Sequence, residues 1–171
     1  IETGKASTSD QMFLGKVYYK AKQFGKADTA FTAVTQKEPN NLQAYVWIAN
    51  TYASMDPDSK EGLAEPKYRK VIDMARMDSV ANIKELFDAY CYMGSYYFLS
   101  KYDPNKAESY FWAIIKLDPK NKKWQAKGYK SLAMLESIKR QNYPQAIEYY
   151  RKAQAVDPSD TDIEKAIHDL Q

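Results

Sequence analysis

Leu14, Gly15 and Tyr18 stand at i, i+1 and i+4, a spacing that gathers them on one face of a helix, and Ala27 and Phe31 form an i, i+4 pair soon after. Strand-like alternation nowhere runs long enough to compete. The pattern then returns. Leu14 and Ile48, Gly15 and Ala49, and Tyr18 and Tyr52 are each 34 residues apart. Tyr92-Met93-Gly94-Ser95-Tyr96-Tyr97 repeats it a third time, and Ser131-Leu132-Ala133-Met134 is a weaker fourth copy. A small residue at Gly15, Ala49 or Gly94 lets a second helix approach closely while the tyrosine fills the space beside it. Pro39, Pro119 and Pro158 end each following helix, because proline offers no N–H and clashes with a continuing turn. The chain therefore predicts helices over 9–22, 25–37, 41–54, 64–77, 80–100, 104–117, 121–140, 144–156 and 160–170.

A second signature follows each copy. It reads Phe24, Ala27, Phe31 and Pro39 in the first, and Ala107, Phe111 and Pro119 in the third. In the fourth it is Tyr143, Ala146, Tyr150 and Pro158; the second keeps Ala64 and Tyr68 without a closing proline. Over residues 8–158 this combination resembles the tetratricopeptide repeat (TPR) family, whose unit is two antiparallel helices in about 34 residues. The resemblance implies an all-α fold, a right-handed α-solenoid of about four TPR-like hairpins closed by a C-terminal capping helix. The expected organisation is one domain over 1–171, with repeats at 8–41, 42–78, 79–121 and 122–158 and the cap at 159–171. Ile163, Ala166, Ile167 and Leu170 give that last helix a one-sided apolar stripe fit to cover the open end of a stack.

Two spacings depart from the period. Tyr52 to Tyr97 is 45 residues, 11 beyond one repeat. About three of these are expected in the loop Asp56 to Gly62, and the rest at the front of the helix that follows Ser79. Pro119 to Pro158 is 39, five too many, again assigned to the start of a first helix. Longer first helices would alter the pitch of the second half and with it the shape of any groove.

Composition narrows the function. With 44% apolar and 27% charged residues in 171, the chain can bury a core and stay soluble, and no segment reads as a membrane span. Net charge is only +3, and its basic side is 21 lysines to 4 arginines, so specific nucleic-acid binding is not expected. The run Lys116, Lys120, Lys122, Lys123, Lys127 and Lys130 reads as a solvated face. His168 is the lone histidine and Cys91 the lone cysteine, so neither a histidine-based triad nor a histidine metal cluster can be assembled. Gly15, Gly94 and Gly128 read as helix-packing glycines rather than a phosphate loop, and Asp56 to Glu61 lacks the spacing of a calcium loop. No enzyme, cofactor or metal site is expected. The single cysteine leaves the compartment open between cytoplasm and bacterial cell envelope. Ile1 stands where a methionine would begin a chain, so the sequence reads as a segment of a longer or processed protein.

Tyrosine is over-represented, at 15 residues. Tyr18, Tyr52, Tyr68, Tyr97 and Tyr150 fall at family core positions; among Tyr19, Tyr92, Tyr96 and Tyr102 some are expected to face outward as contact area. The resemblance implies that first helices line a concave groove where ligand peptides lie. Phe13, Trp47 and Tyr92 then form an aromatic row in one register, with Lys16, Asn50 and Ser95 a polar row beside it. Met12, Tyr19, Lys20, Val46, Cys91, Phe98, Lys127 and Lys130 complete the candidate lining. Met12, Trp47 and Tyr92 replace the lysine, asparagine and arginine of the family's chaperone-tail clamp, so that mode is excluded. The aromatic row points instead to apolar anchors from a partner peptide, helix or loop, with Lys16 and Asn50 on its backbone or an acidic side chain. On that reading Asn50→Arg spares the fold and disturbs only binding. Two alternatives remain at this stage: the aromatics pack between hairpins, or the chain is a scaffold within a longer protein that self-associates.

Overall fold

A computed structural model describes residues 6–171. Among them lie nine α-helices: α1 (Thr8–Lys20), α2 (Phe24–Lys37), α3 (Leu42–Met55), α4 (Glu65–Ala75), α5 (Ile83–Leu99), α6 (Pro104–Leu117), α7 (Lys122–Leu135), α8 (Tyr143–Val156) and α9 (Asp162–Asp169). No strand occurs among the described residues. They form two compact units, one ending at Ala89 and one running from Tyr90 to Gln171, with α5 contributing to each.

In the first unit α1 packs on α2, α2 on α3 and α3 on α4, and α1 also touches α3. In the second, α6 packs on α7, α7 on α8 and α8 on α9. The alanines that open the second signature, Ala27, Ala64, Ala107 and Ala146, are all 0% exposed. Each sits fully inside its helix pair. Gly15 and Gly94 each face a phenylalanine of the following helix: a Cβ there would lie 2.4 Å from Phe31 Cε1 and 2.5 Å from Phe111 Cε1. Gly128 does the same against Ile115 Cγ1 at 2.4 Å. Tyrosine fills much of what remains in the second unit, where Tyr97 and Tyr110 stack at 5.9 Å and Tyr96 meets Tyr97 edge-on at 5.1 Å.

Boundaries follow local chemistry. Asn41, Asn121 and Asn142 each accept a backbone N–H three residues on, from Ala44, Trp124 and Gln145, and so start α3, α7 and α8. Ser7 and Asp10 form a reciprocal capping box on α1. The helices α2, α6 and α8 stop two residues before Pro39, Pro119 and Pro158. The hairpin without a closing proline runs on from α4 into a 3-10 turn, Arg76–Asp78.

The loop from Asp56 to Gly62 lies between α3 and α4 as expected, but the other extra residues sit differently. α5 begins at Ile83, so only part of the extra length enters that helix; the rest forms the 3-10 turn and the turn after it. The five extra residues of the fourth hairpin lie at the end of its first helix, not the start. α7 begins three residues after Pro119, just as α3 begins three after Pro39, and a π-helical turn, Glu136–Arg140, takes up the surplus. It closes at Gln141, whose φ is 53°.

Asp103 caps α6 by accepting the Lys106 N–H at 3.0 Å, and that bond is the main reason its carboxyl lies below the ordinary aspartate value of 3.8. A depressed carboxylate contributes stability that is complete above its unfolded value and is lost as pH falls through the folded one. Asp103→Asn retains the cap but not the titration. Wild type should therefore melt above Asp103→Asn at pH 7, and the gap should shrink toward about pH 3. Melting curves with a gap independent of pH would show that this carboxylate contributes nothing to the acid limb.

Candidate functional site

The expected groove residues of the first unit lie on α1 and α3. Phe13 stands 68% exposed, with Lys16 and Lys20 exposed on the same helix. Met12, Tyr19, Val46 and Trp47 are half-buried beside them. The Trp47 ring stacks on the buried Phe31 (centroids 5.7 Å, 20°) and takes the edge of Tyr19 at 5.4 Å. Lys16 Nζ lies 5.6 Å from the Trp47 centroid, joining α1 to α3 across this face. Tyr19 shares a 2.9 Å hydrogen bond with Ser54 of α3. Trp47 is thus half-buried, with its ring stacked on the core and flanked by Tyr19 and Lys16. Phe13 belongs to the surface.

Asn50 behaves differently from the expectation. Its Oδ1 accepts the hydroxyl of the buried Tyr68 at 2.7 Å, tying α3 to α4. Asn50→Arg would strip that hydroxyl of its acceptor, so it is no clean probe of binding. Sequence could not reveal the pairing, since the partners are 18 residues apart on different helices.

In the second unit Ser95 and Lys127 are exposed, and Cys91 and Tyr92 are half-buried, with Tyr92 stacked on Tyr96 at 6.2 Å. Phe98 is 5% exposed and meets Phe111 edge-on at 6.4 Å, so it is core rather than lining. Tyr96 is likewise buried, whereas Tyr102 faces outward. Lys130 is ion-paired to Asp160, which anchors the segment entering α9. With Ile163 buried and Gln154 Nε2 donating to Glu164 at 3.2 Å, α9 covers α8 as the apolar stripe predicts.

Other reactive groups are accounted for structurally. His168 is exposed. Asp56 is buried and accepts the N–H groups of Lys60 at 3.0 Å and Gly62 at 2.8 Å. Burial alone would raise its pKa, but the converging backbone donors hold it below the ordinary value. The acidic loop is thus organised by its own backbone. Among the described residues no group of three or more histidine, cysteine or acidic side chains is placed to hold a metal ion. No helix among them is long and apolar enough to cross a membrane.

No protein-family model and no curated protein matches the chain. Solved structures do. The C-terminal part of a TPR repeat-containing protein from Cytophaga hutchinsonii is 35% identical over 75% of this chain, with a TM-score of 0.67. The match spans 49% of that structure's chain, about half its length. MamA protein is similar at 21% identity over 95% of this chain and 80% of its own, with a TM-score of 0.71. A thermophilic TPR protein of Thermus thermophilus reaches 0.55 at 15% identity, over 96% of this chain and 81% of its own. The last two share the fold. With the repeated signature, the close-packed glycine and alanine positions and the Cytophaga likeness, the chain is a TPR-like helical-repeat protein.

Proposed function

We propose that this chain is a non-catalytic protein–protein interaction module that takes a peptide, helix or loop of a partner on the α1–α3 face. The observation that carries the reading is Phe13, a large apolar ring 68% exposed on the helix face that also bears Lys16 and Lys20, with the Lys16 ammonium 5.6 Å from the Trp47 ring. A hydrophobic anchor ringed by cations suits a segment with an apolar side chain next to an acidic one.

The test is capture of proteins from the source organism's extract by wild type and by Phe13→Glu, Lys16→Glu. Both positions are exposed, so the melting temperature should hold while a partner retained by wild type is lost. Titration of that partner should show affinity reduced at least about tenfold, the scale of one interface anchor. Identical capture by both proteins would remove the groove reading and favour a scaffold that uses other surfaces.

A further inference from the structure

On α3, Tyr45, Ile48 and Tyr52 fall within an arc of about 60° at 100° per residue, opposite the side that carries Val46, Trp47 and Asn50. The Tyr45 side faces a cleft of about 330 Å³ between α2, α3 and α4. From α2 come Asp28 and Thr32, one helical turn apart; from α4 come Lys67 and Lys70, also on one face. The lysines are held over aromatic rings. Lys67 Nζ lies 4.6 Å from the Tyr52 centroid, and Lys70 Nζ 5.6 Å from that of Tyr45. Asp28 is engaged by the Tyr52 hydroxyl at 3.3 Å. Among the described residues, the ion pair of α4 joins Arg69 to Glu65 and leaves both lysines out.

The cleft therefore concentrates two ammonium groups against one carboxylate, on tyrosine faces that fix their direction. Thr32 and Tyr45 add neutral hydroxyls, and the Ile48 side gives an apolar floor. An anion alone would leave Asp28 facing it. A peptide would not, because it brings N–H donors together with its carboxylates. We propose that this cleft binds an acidic segment of a protein partner, with carboxylates on Lys67 and Lys70 and a main-chain N–H on Asp28. It would be a second recognition surface, separate from the α1–α3 face.

The probe is a fluorescein-labelled peptide of eight glutamates, set beside its all-glutamine counterpart. Fluorescence anisotropy should give a dissociation constant below about 1 mM for the first and binding at least tenfold weaker for the second. Amide NMR shifts should centre on Thr32, Tyr45, Lys67 and Lys70 and leave Phe13 and Lys16 in place. Lys67→Gln, Lys70→Gln should reduce affinity at least tenfold with helicity unchanged. Lys67→Arg, Lys70→Arg should retain binding, which separates lost charge from lost folding. Phe13→Glu should not alter it. Several outcomes overturn the proposal: no binding of the glutamate peptide at millimolar concentration, shifts centred on other lysines, or equal affinity for the glutamine peptide. So does full displacement by 10 mM inorganic phosphate, an anionic phosphatidylserine vesicle or a DNA oligonucleotide, since each would mark a general anion surface.

Discussion

Phe31→Ala is expected to lower unfolding stability by about 3–5 kcal/mol, the range for deleting a fully enclosed aromatic ring. The ring is 0% exposed, stacks on Trp47 and lies against the backbone of α1 at Gly15. Its loss would open a cavity at the junction of α1, α2 and α3, which rigid helices cannot easily collapse. The reciprocal change, Gly15→Leu, places side-chain atoms where the Phe31 ring already stands; even a Cβ would lie 2.4 Å from Cε1. That overpacking should cost about 1–3 kcal/mol or more, with α1 and α2 forced apart. The two positions share one volume, so their effects should not add. In the Phe31→Ala background, Gly15→Leu should be milder by at least about 1 kcal/mol, because the added side chain enters the vacated space. Urea unfolding of the four proteins measures the coupling. Strict additivity would mean that the ring and the glycine do not compete, and would undo the packing account of the repeat.

That same contact explains why so much of the fold was legible. Glycine or alanine in a first helix, aromatic or branched residue in the second, and proline two residues past its end form a local code. The local part carried over: α3 and α7 begin within a residue of their expected starts, and helices stop before Pro39, Pro119 and Pro158. What failed was the placement of insertions. A count of surplus residues does not reveal where a helix absorbs them, and the π-turn after α7 leaves no mark in apolar periodicity. The candidate site divided along a similar line. Exposure of Phe13 and Lys16 follows from helical register. The engagement of Asn50 by Tyr68 and of Lys130 by Asp160 comes from residues 18 and 30 positions away, where spacing along one helix says nothing. Nothing in the sequence singles out Lys67 and Lys70, which line the cleft only because α2 and α3 lie beside α4.

Removing the guanidinium of Arg140 should be nearly as damaging as opening the core, although the residue belongs to a surface turn. Arg140 closes the π-helical turn and reaches three acceptors: Glu136 Oε1 at 2.6 Å, Glu108 Oε2 at 2.7 Å and Asn105 Oδ1 at 3.1 Å. Glu108 in turn accepts the Trp112 indole N–H at 3.4 Å, so the cluster ties the turn to α6. The Glu136 side chain is 5% exposed, and little water could replace its partner. Stranding a buried carboxylate typically costs about 3–5 kcal/mol. The Arg140 side chain keeps 31% exposure, which allows some water to reach the site. Arg140→Met, which preserves the apolar stem, should therefore destabilise by about 3 kcal/mol, the lower end of that range. Arg140→Lys should recover only part of this, since one ammonium cannot reproduce a planar fork spread over three acceptors. The decisive comparison is Glu136→Gln, Arg140→Met. If the penalty comes from the stranded charge, removing that charge should restore about half of the loss in thermal and urea unfolding. If the double variant is no more stable than Arg140→Met, the damage comes from the turn's geometry, and the five inserted residues owe their conformation to backbone closure at Gln141 rather than to this ion cluster.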